Sequence, residues 1–286
     1  MIRLAEIETQ IAGISELLDI VGAMRSLAGM RMQEAHRALP GIRRYAETMA
    51  EAIGSALLLK SEASVAGSPA RAPRAFILCT AEHGFVGGFN VRVIAAAEEV
   101  LGRDDTLFVL GSRGAALVRE RGGTPAWTHP TATRPEGVPE TIRPLTVRLY
   151  RLIVRDHVTR VDLMFARHRQ GAGTTIERRQ LLPLDLATFS LEQPRLPPLY
   201  NLAPDVLLEK LVADYVLALL TEAAVESLAA ENAARFAAMG SAYDNVSKKL
   251  EELRQDARQA RQSEITTELL DLVTGAEAMR GAGCHS

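Results

Sequence analysis

Cysteine, tryptophan and net charge are all scarce in this chain, and the shortages narrow what it can be. Two cysteines, Cys79 and Cys284, are too few for a disulfide framework and too isolated for a zinc site, so a reducing compartment is expected. A net charge of −2 gives no field to hold nucleic acid or an anionic membrane. Aromatics stand at 5%, with Trp127 the lone tryptophan, which suits helix-on-helix packing through small side chains. No apolar run approaches the ~20 residues that span a bilayer. The longest, Tyr215 to Leu220, is flanked by Asp214 and Glu222. Arg3, Glu6 and Glu8 in the first turns are wrong for a secretion signal. No repeat with a period of 20 to 50 residues is visible. A soluble, folded protein on the cytoplasmic side is expected, reaching a membrane only through partners.

Proline is missing from Asp205 to Met279, where Gly240 and Gly275 are the only glycines. One helix over that stretch would be roughly 110 Å long. A helix of that length needs a partner, and the start of the chain supplies one. Leu4, Ile7, Ile11, Ile14, Leu18 and Val21 follow a 3-4 spacing, continued approximately by Ala28, Met32, Ala35 and Leu39. Pro40-Gly41 predicts a kink or break, because proline removes a backbone donor and crowds the preceding turn. Ile42 to Leu59 resumes the helix with Tyr45, Met49, Ile53 and Ala56 on one face. Near the other end Val246, Leu250, Leu253, Ala257 and Ala260 repeat the 4-3 spacing. The alternating charges from Lys248 to Arg261 read as a solvated coil face. The expected fold class is α/β plus long helices, with an antiparallel two-helix coiled coil formed by both termini and a central α/β domain. Its expected parts are an N-terminal coil helix over 1–60, the α/β domain over 74–200 and a C-terminal coil helix over 205–280.

The middle of the chain changes character. Ser61 to Arg74 reads as a linker. Strands are expected at Ala75–Thr80, Thr106–Leu110 and Val161–Ala166, with helices at Val91–Leu101, Ser112–Arg121 and Thr141–Val158. Alternation of this kind builds a mainly parallel sheet, with Thr174–Leu182 as an added edge strand. Pro194, Pro197 and Pro198 mark the return linker.

Little in the sequence carries chemistry. Gly84 to Asn90 follows a strand and precedes a helix, where βαβ folds bind phosphates. A Walker loop would need Lys and Ser or Thr after its last glycine, and here Gly88 is followed by Phe89 and Asn90. A tight turn with backbone passing close to backbone accounts for these glycines. In Gly111-Ser112-Arg113-Gly114, Ser112 reads as a helix N-cap rather than part of an anion site. The six histidines lack Cys or carboxylate at metal-ligand spacing. Cys79 reads as a packed core thiol, Glu82 and His83 as neighbours pointing apart, and Trp127 as packing. Arg167, His168, Arg169, Arg178 and Arg179 form a basic run with no aromatic platform for bases. No catalytic site, cofactor or metal is expected. An alternative fit is an α/β nucleotide-binding enzyme with a helical dimerisation arm.

The C-terminal stretch SLAAENAARFAAMGSAYDNVSKKLEELRQDARQARQSEITTELLDLVTGAEAM resembles the γ-subunit family of F-type ATP synthases. The segment Arg43 to Met49 (RRYAETM), the glycine element Glu82 to Asn90, GSRG, and Gln180 to Leu184 (QLLPL) extend the similarity over nearly the whole chain, in order. The resemblance implies a coiled-coil shaft with a Rossmann-like domain beside its lower part, inside a ring of three α and three β subunits and turning with the ε subunit and the membrane c-ring. It implies rotation that couples ion flow to ATP synthesis or hydrolysis at the β subunits, on the cytoplasmic face of a bacterial plasma membrane. Carried over residue by residue, it places β-subunit contacts at Arg235, Arg261, Gln262, Thr266 and Met24. The departures are the lysine-free segment Glu16 to Met24, Glu82 in place of Asp, Val86 in place of Cys, and a tail from Arg280 to Ser286. They suggest a divergent branch, an alternative operon whose coupled ion could be sodium.

Overall fold

A computed structural model describes residues 2–59, 74–102, 104–155, 158–169, 171–189 and 199–282. The expected linker Ser61–Arg74 lies outside these residues except for Arg74, as do the linker prolines Pro194, Pro197 and Pro198. His157, Cys284 and His285 are outside them too. The chain divides into two compact units, one of Met1–Ser26 with Ala237–Ser286 and one of Leu27–Phe236.

The larger unit is built on a five-stranded sheet. In chain order the elements are helix α1 (Ile2–Leu57), β1 (Arg74–Cys79), α2 (Phe89–Glu98), β2 (Thr106–Leu110), α3 (Ser112–Glu120), β3 (Trp127–His129), α4 (Val138–Arg155), β4 (Arg160–Arg169), β5 (Gly173–Leu182) and α5 (Pro204–Ala282). The sheet order is β3-β2-β1-β4-β5. The first four strands are parallel, and β5 pairs antiparallel with β4 at one edge. Strand β1 alternates in the way a sheet covered on both faces requires. Ala75, Ile77 and Cys79 face a core shared with α4, the second half of α1 and the first half of α5, while Phe76 and Leu78 face α2 and α3. The short β3 was not expected from sequence: three residues give no periodic signal, and pairing with β2 makes the strand.

Of the kink or break expected at Pro40-Gly41, the break does not occur; α1 runs through them as one helix. Proline removes one hydrogen bond, but Ala35, Leu39 and Ala46 are buried on either side, and that packing continues across the defect. Helix α4 likewise contains Pro144.

In α5, every residue from Leu220 to Ala233 is buried, so this stretch is enclosed all round. Alanines at 223, 229 and 230 let neighbouring backbone approach closely, each fully buried. In the smaller unit, Glu8 pairs with Arg261 at 2.7 Å, and Gly22 faces the Tyr243 ring. Residue numbers rise along one segment as they fall along the other, so the two run in opposite directions. Val21, Met239, Leu250 and Leu253 are the smaller unit's buried positions among the described residues, and Val21, Leu250 and Leu253 fall on the expected seam.

Candidate functional site

Four places hold the side chains that matter. The first is the carboxyl end of the parallel strands, where this topology usually takes a ligand. Here the chain fills it. The Glu82 carboxylate accepts the Ser112 backbone N–H at 3.0 Å, the Ser112 hydroxyl at 2.7 Å and the Thr131 N–H at 2.8 Å. It sits at the start of α3, where the exposed amides favour an anion. Burial opposes its ionisation, but the Ser112 and Thr131 hydrogen bonds outweigh that and hold Glu82 below its ordinary range. Ser112 is therefore not the N-cap that its sequence position predicts. Gly111 holds that position and Ser112 opens the helix, because a carboxylate from the adjacent strand end binds the amides better than a local hydroxyl.

The glycines divide differently from the expectation as well. A methyl on Gly114 would come within 1.9 Å of the Thr80 hydroxyl, and one on Gly111 within 2.4 Å of the Thr80 carbonyl oxygen. Gly111 also has a φ of 103°. Gly84 and Gly88 face open space instead, so close approach does not explain them. Gly87, at φ 53°, is the member of that stretch whose backbone asks for glycine. Buried Asn90 closes the turn by accepting the Ala81 N–H at 2.9 Å.

The second place joins α1, α5 and the sheet. Glu226 lies at 2% exposure and is met by Arg43 of α1 and, at 3.2 Å, by Arg167 of β4. One turn earlier, Glu222 accepts from Arg43 at 3.1 Å and from Arg179 of β5 at 2.7 Å. Burial opposes Glu222 ionisation, yet Arg179 and Arg43 together lower its pKa. Arg167 also reaches Glu177 at 2.8 Å. Beside them opens a cleft of about 540 Å³ in which His36 and His168 stand 6.3 Å apart between ring centres. Burial and then His36 push His168 down from its usual value. The expected basic run is thus largely neutralised within the chain: Arg167, Arg169, Arg178 and Arg179 each have an acidic partner. Sequence reasoning missed the acids. The available signal was Glu222 and Glu226, four apart in an alanine-rich stretch with no exposed face.

The third place is Arg235. It donates to Glu231 at 2.6 Å, to the Asn232 side-chain oxygen at 3.0 Å and to the Gly84 carbonyl at 3.4 Å. Burial raises the Glu231 pKa, with Arg235 pulling it the other way.

The fourth place lies in the smaller unit. Arg261, Gln262 and Thr266 are exposed on α5 around a recess of about 350 Å³, which Arg258 and Ile265 help to line. The Thr266 hydroxyl donates to the Gln262 carbonyl at 2.8 Å, and Arg261 holds Glu8. Met24 is half-buried on α1. Beyond the recess, Leu269, Leu270, Leu272 and Val273 are exposed. Among the described residues there is no cluster of His, Cys, Asp and Glu fit to hold a metal ion, and no helix long and apolar enough to cross a membrane.

The family model described as ATP synthase matches residues 3–279. The chain belongs to the ATP synthase family. Curated relatives agree along their whole length. An ATP synthase gamma chain of Chlorobaculum tepidum is 28% identical over 98% of this chain and 100% of its own. One of Saccharopolyspora erythraea is 27% identical over 99% of both. Among solved structures, a chain of the Euglena gracilis mitochondrial ATP synthase (OSCP/F1/c-ring) has a TM-score of 0.67 at 13% identity, covering 99% of this chain and 96% of that one. A chain from the central stalk and c-ring of the Tetrahymena thermophila mitochondrial enzyme has a TM-score of 0.56 at 16% identity, covering 78% of this chain and 99% of that one. At these identities the structural likeness concerns the fold: long helices with a mixed α/β sheet.

Proposed function

We propose that this chain is the central-stalk rotor subunit of an F-type ATP synthase, coupling ion movement through a membrane sector to ATP synthesis or hydrolysis on partner subunits. The observation that carries this is the family match over residues 3–279 on a chain whose two end segments run antiparallel and close on each other's seam. A shaft needs stiffness, and two helices sharing an apolar seam bend less than one. The end segments are taken as an antiparallel coiled coil, with coil helices at 1–60 and 205–280 and a Rossmann-like domain at 74–200 between them. The partners are three α and three β subunits around the coil, with the ε subunit and c-ring turning with it. The site is the cytoplasmic face of a bacterial membrane, reached through the complex.

Rotation makes β-site states depend on shaft angle only if a few polar side chains meet the ring differently as they pass. Arg261, Gln262 and Thr266, exposed around one recess, with Met24 on α1, are the proposed β contacts. Arg235 belongs to the same proposed set, although its guanidinium already has partners in Glu231 and Asn232, so a ring contact there requires exchange. The exposed Leu269, Leu270, Leu272 and Val273 fit a low-friction apolar bearing.

The direct experiment is purification of the tagged chain from membranes under mild conditions. An ATP-hydrolysing assembly containing α, β, ε and c subunits is expected; recovery of a lone monomer overturns the proposal. Nothing favours the nucleotide-enzyme alternative, since Glu82 occupies the anion position at α3.

A further inference from the structure

We propose that Glu222 and Glu226 act as a polar key that locks the helices of the larger unit onto the sheet against sliding, so that torque passes between them. The inference rests on the rotor reading.

The surfaces in contact here are otherwise apolar. On α5 the buried apolar residues around the two acids are Leu220, Ala223, Ala224, Val225, Leu228 and Ala229, and α1 offers Ala35 and Leu39. Burial of such residues holds surfaces together, but it is non-directional and roughly proportional to area. Interdigitated side chains resist sliding in part, and bonds that depend on direction and register add a resistance that buried area does not supply.

The two glutamates supply such bonds. They lie one turn apart on one face of α5. Between them they engage Arg43 from α1, Arg167 from β4 and Arg179 from β5. Arg43 binds both acids, so its element cannot shift along α5 without breaking at least one contact. The arginines from the sheet are fixed from behind: Arg167 and Arg179 lie over the Phe165 ring at 5.6 and 5.3 Å. Arg167 is held further by Glu177 of β5 at 2.8 Å. Each of the three glutamates in the network, Glu177, Glu222 and Glu226, is met by at least two arginines.

Stability does not account for this arrangement. A buried ion network is often no more stable than well-packed apolar residues of the same volume. Glu226, near full burial, is a costly place for a charge. What charge-assisted hydrogen bonds add is geometry.

The test uses membranes carrying the assembled complex. ATP hydrolysis and ATP-driven ion transport are measured together for wild type, Glu226→Gln, Glu226→Asp and Arg179→Gln. The expected result is retained hydrolysis with a loss of ions moved per ATP in Glu226→Gln, a smaller loss in Arg179→Gln, and partial recovery in Glu226→Asp. A purely stabilising role would lower the amount of complex and its melting temperature while leaving the transport-to-hydrolysis ratio at the wild-type value. An unchanged ratio in Glu226→Gln overturns the proposal. If Glu226→Gln does not assemble, an unchanged ratio in Arg179→Gln does the same. Absence of coupled transport in the wild-type complex would instead sink the rotor reading itself.

Discussion

Asp162 gathers three guanidiniums at one buried carboxylate oxygen. Its Oδ2 receives Arg74 at 3.1 Å, Arg160 at 3.2 Å and Arg178 at 2.8 Å, at 1% exposure. Asp162→Asn removes the charge that three guanidiniums share, and a stability loss of about 3–5 kcal/mol is expected in urea unfolding. Glu82→Ala frees the first amides of α3 and should cost about 1 kcal/mol by the same measurement, as lost helix caps do. The pH dependence follows from the shifted groups. His168 is held below its ordinary 6.5, so the folded state takes up its proton late, and stability should fall as pH drops below about 6.5. Glu82 and Glu222, depressed from 4.5, and Asp105, depressed from 3.8 by Arg74 against the opposing effect of burial, stabilise above those values and lose the contribution on further acidification. Glu231 has the opposite sign: raised, it favours the fold at low pH and loses that contribution as pH rises through its folded value. Thermal melts from pH 8 to 2 should therefore show a first decline beginning near 6.5 and a later one below 4.5. Glu82→Gln should weaken the later one without moving the first.

The elements were legible in proportion to their length and pattern. Strand β1 announced itself as an apolar run in Ala75–Thr80, and α5 as a stretch without proline. Strand β3 did not, because its three residues become a strand only beside β2. Pro40 predicted a kink or break on local grounds, and the break was overruled by apolar packing on both sides of it. Leu250 tests the converse, being buried in the seam of α5 without any local defect nearby. Leu250→Pro removes a backbone donor and a buried side chain together, and should cost more than ~3 kcal/mol of helix stability. Circular dichroism should show helix lost around that site, and an assembled complex should lose coupling.

For the molecule as a whole, the family places the chain in a machine whose other parts it does not contain. The proposed contacts at Arg261 and Gln262 are exposed, so replacing both with alanine should leave the isolated protein's melting temperature within about 1–2 °C. The same double variant should lower coupled ATP turnover in the complex, read by steady-state hydrolysis and synthesis rates. Unchanged rates would remove these residues from the contact set.

The sequence by itself determined the long helices and the parallel α/β middle, because periodicity and composition are local properties that survive any arrangement in space. Only the tertiary structure decided that Glu82 fills the anion position of α3, that the basic run is neutralised, and that Glu222 and Glu226 bind three separate elements. Those outcomes depend on residues up to 183 positions apart meeting in space, and no local pattern records which charge will find which partner.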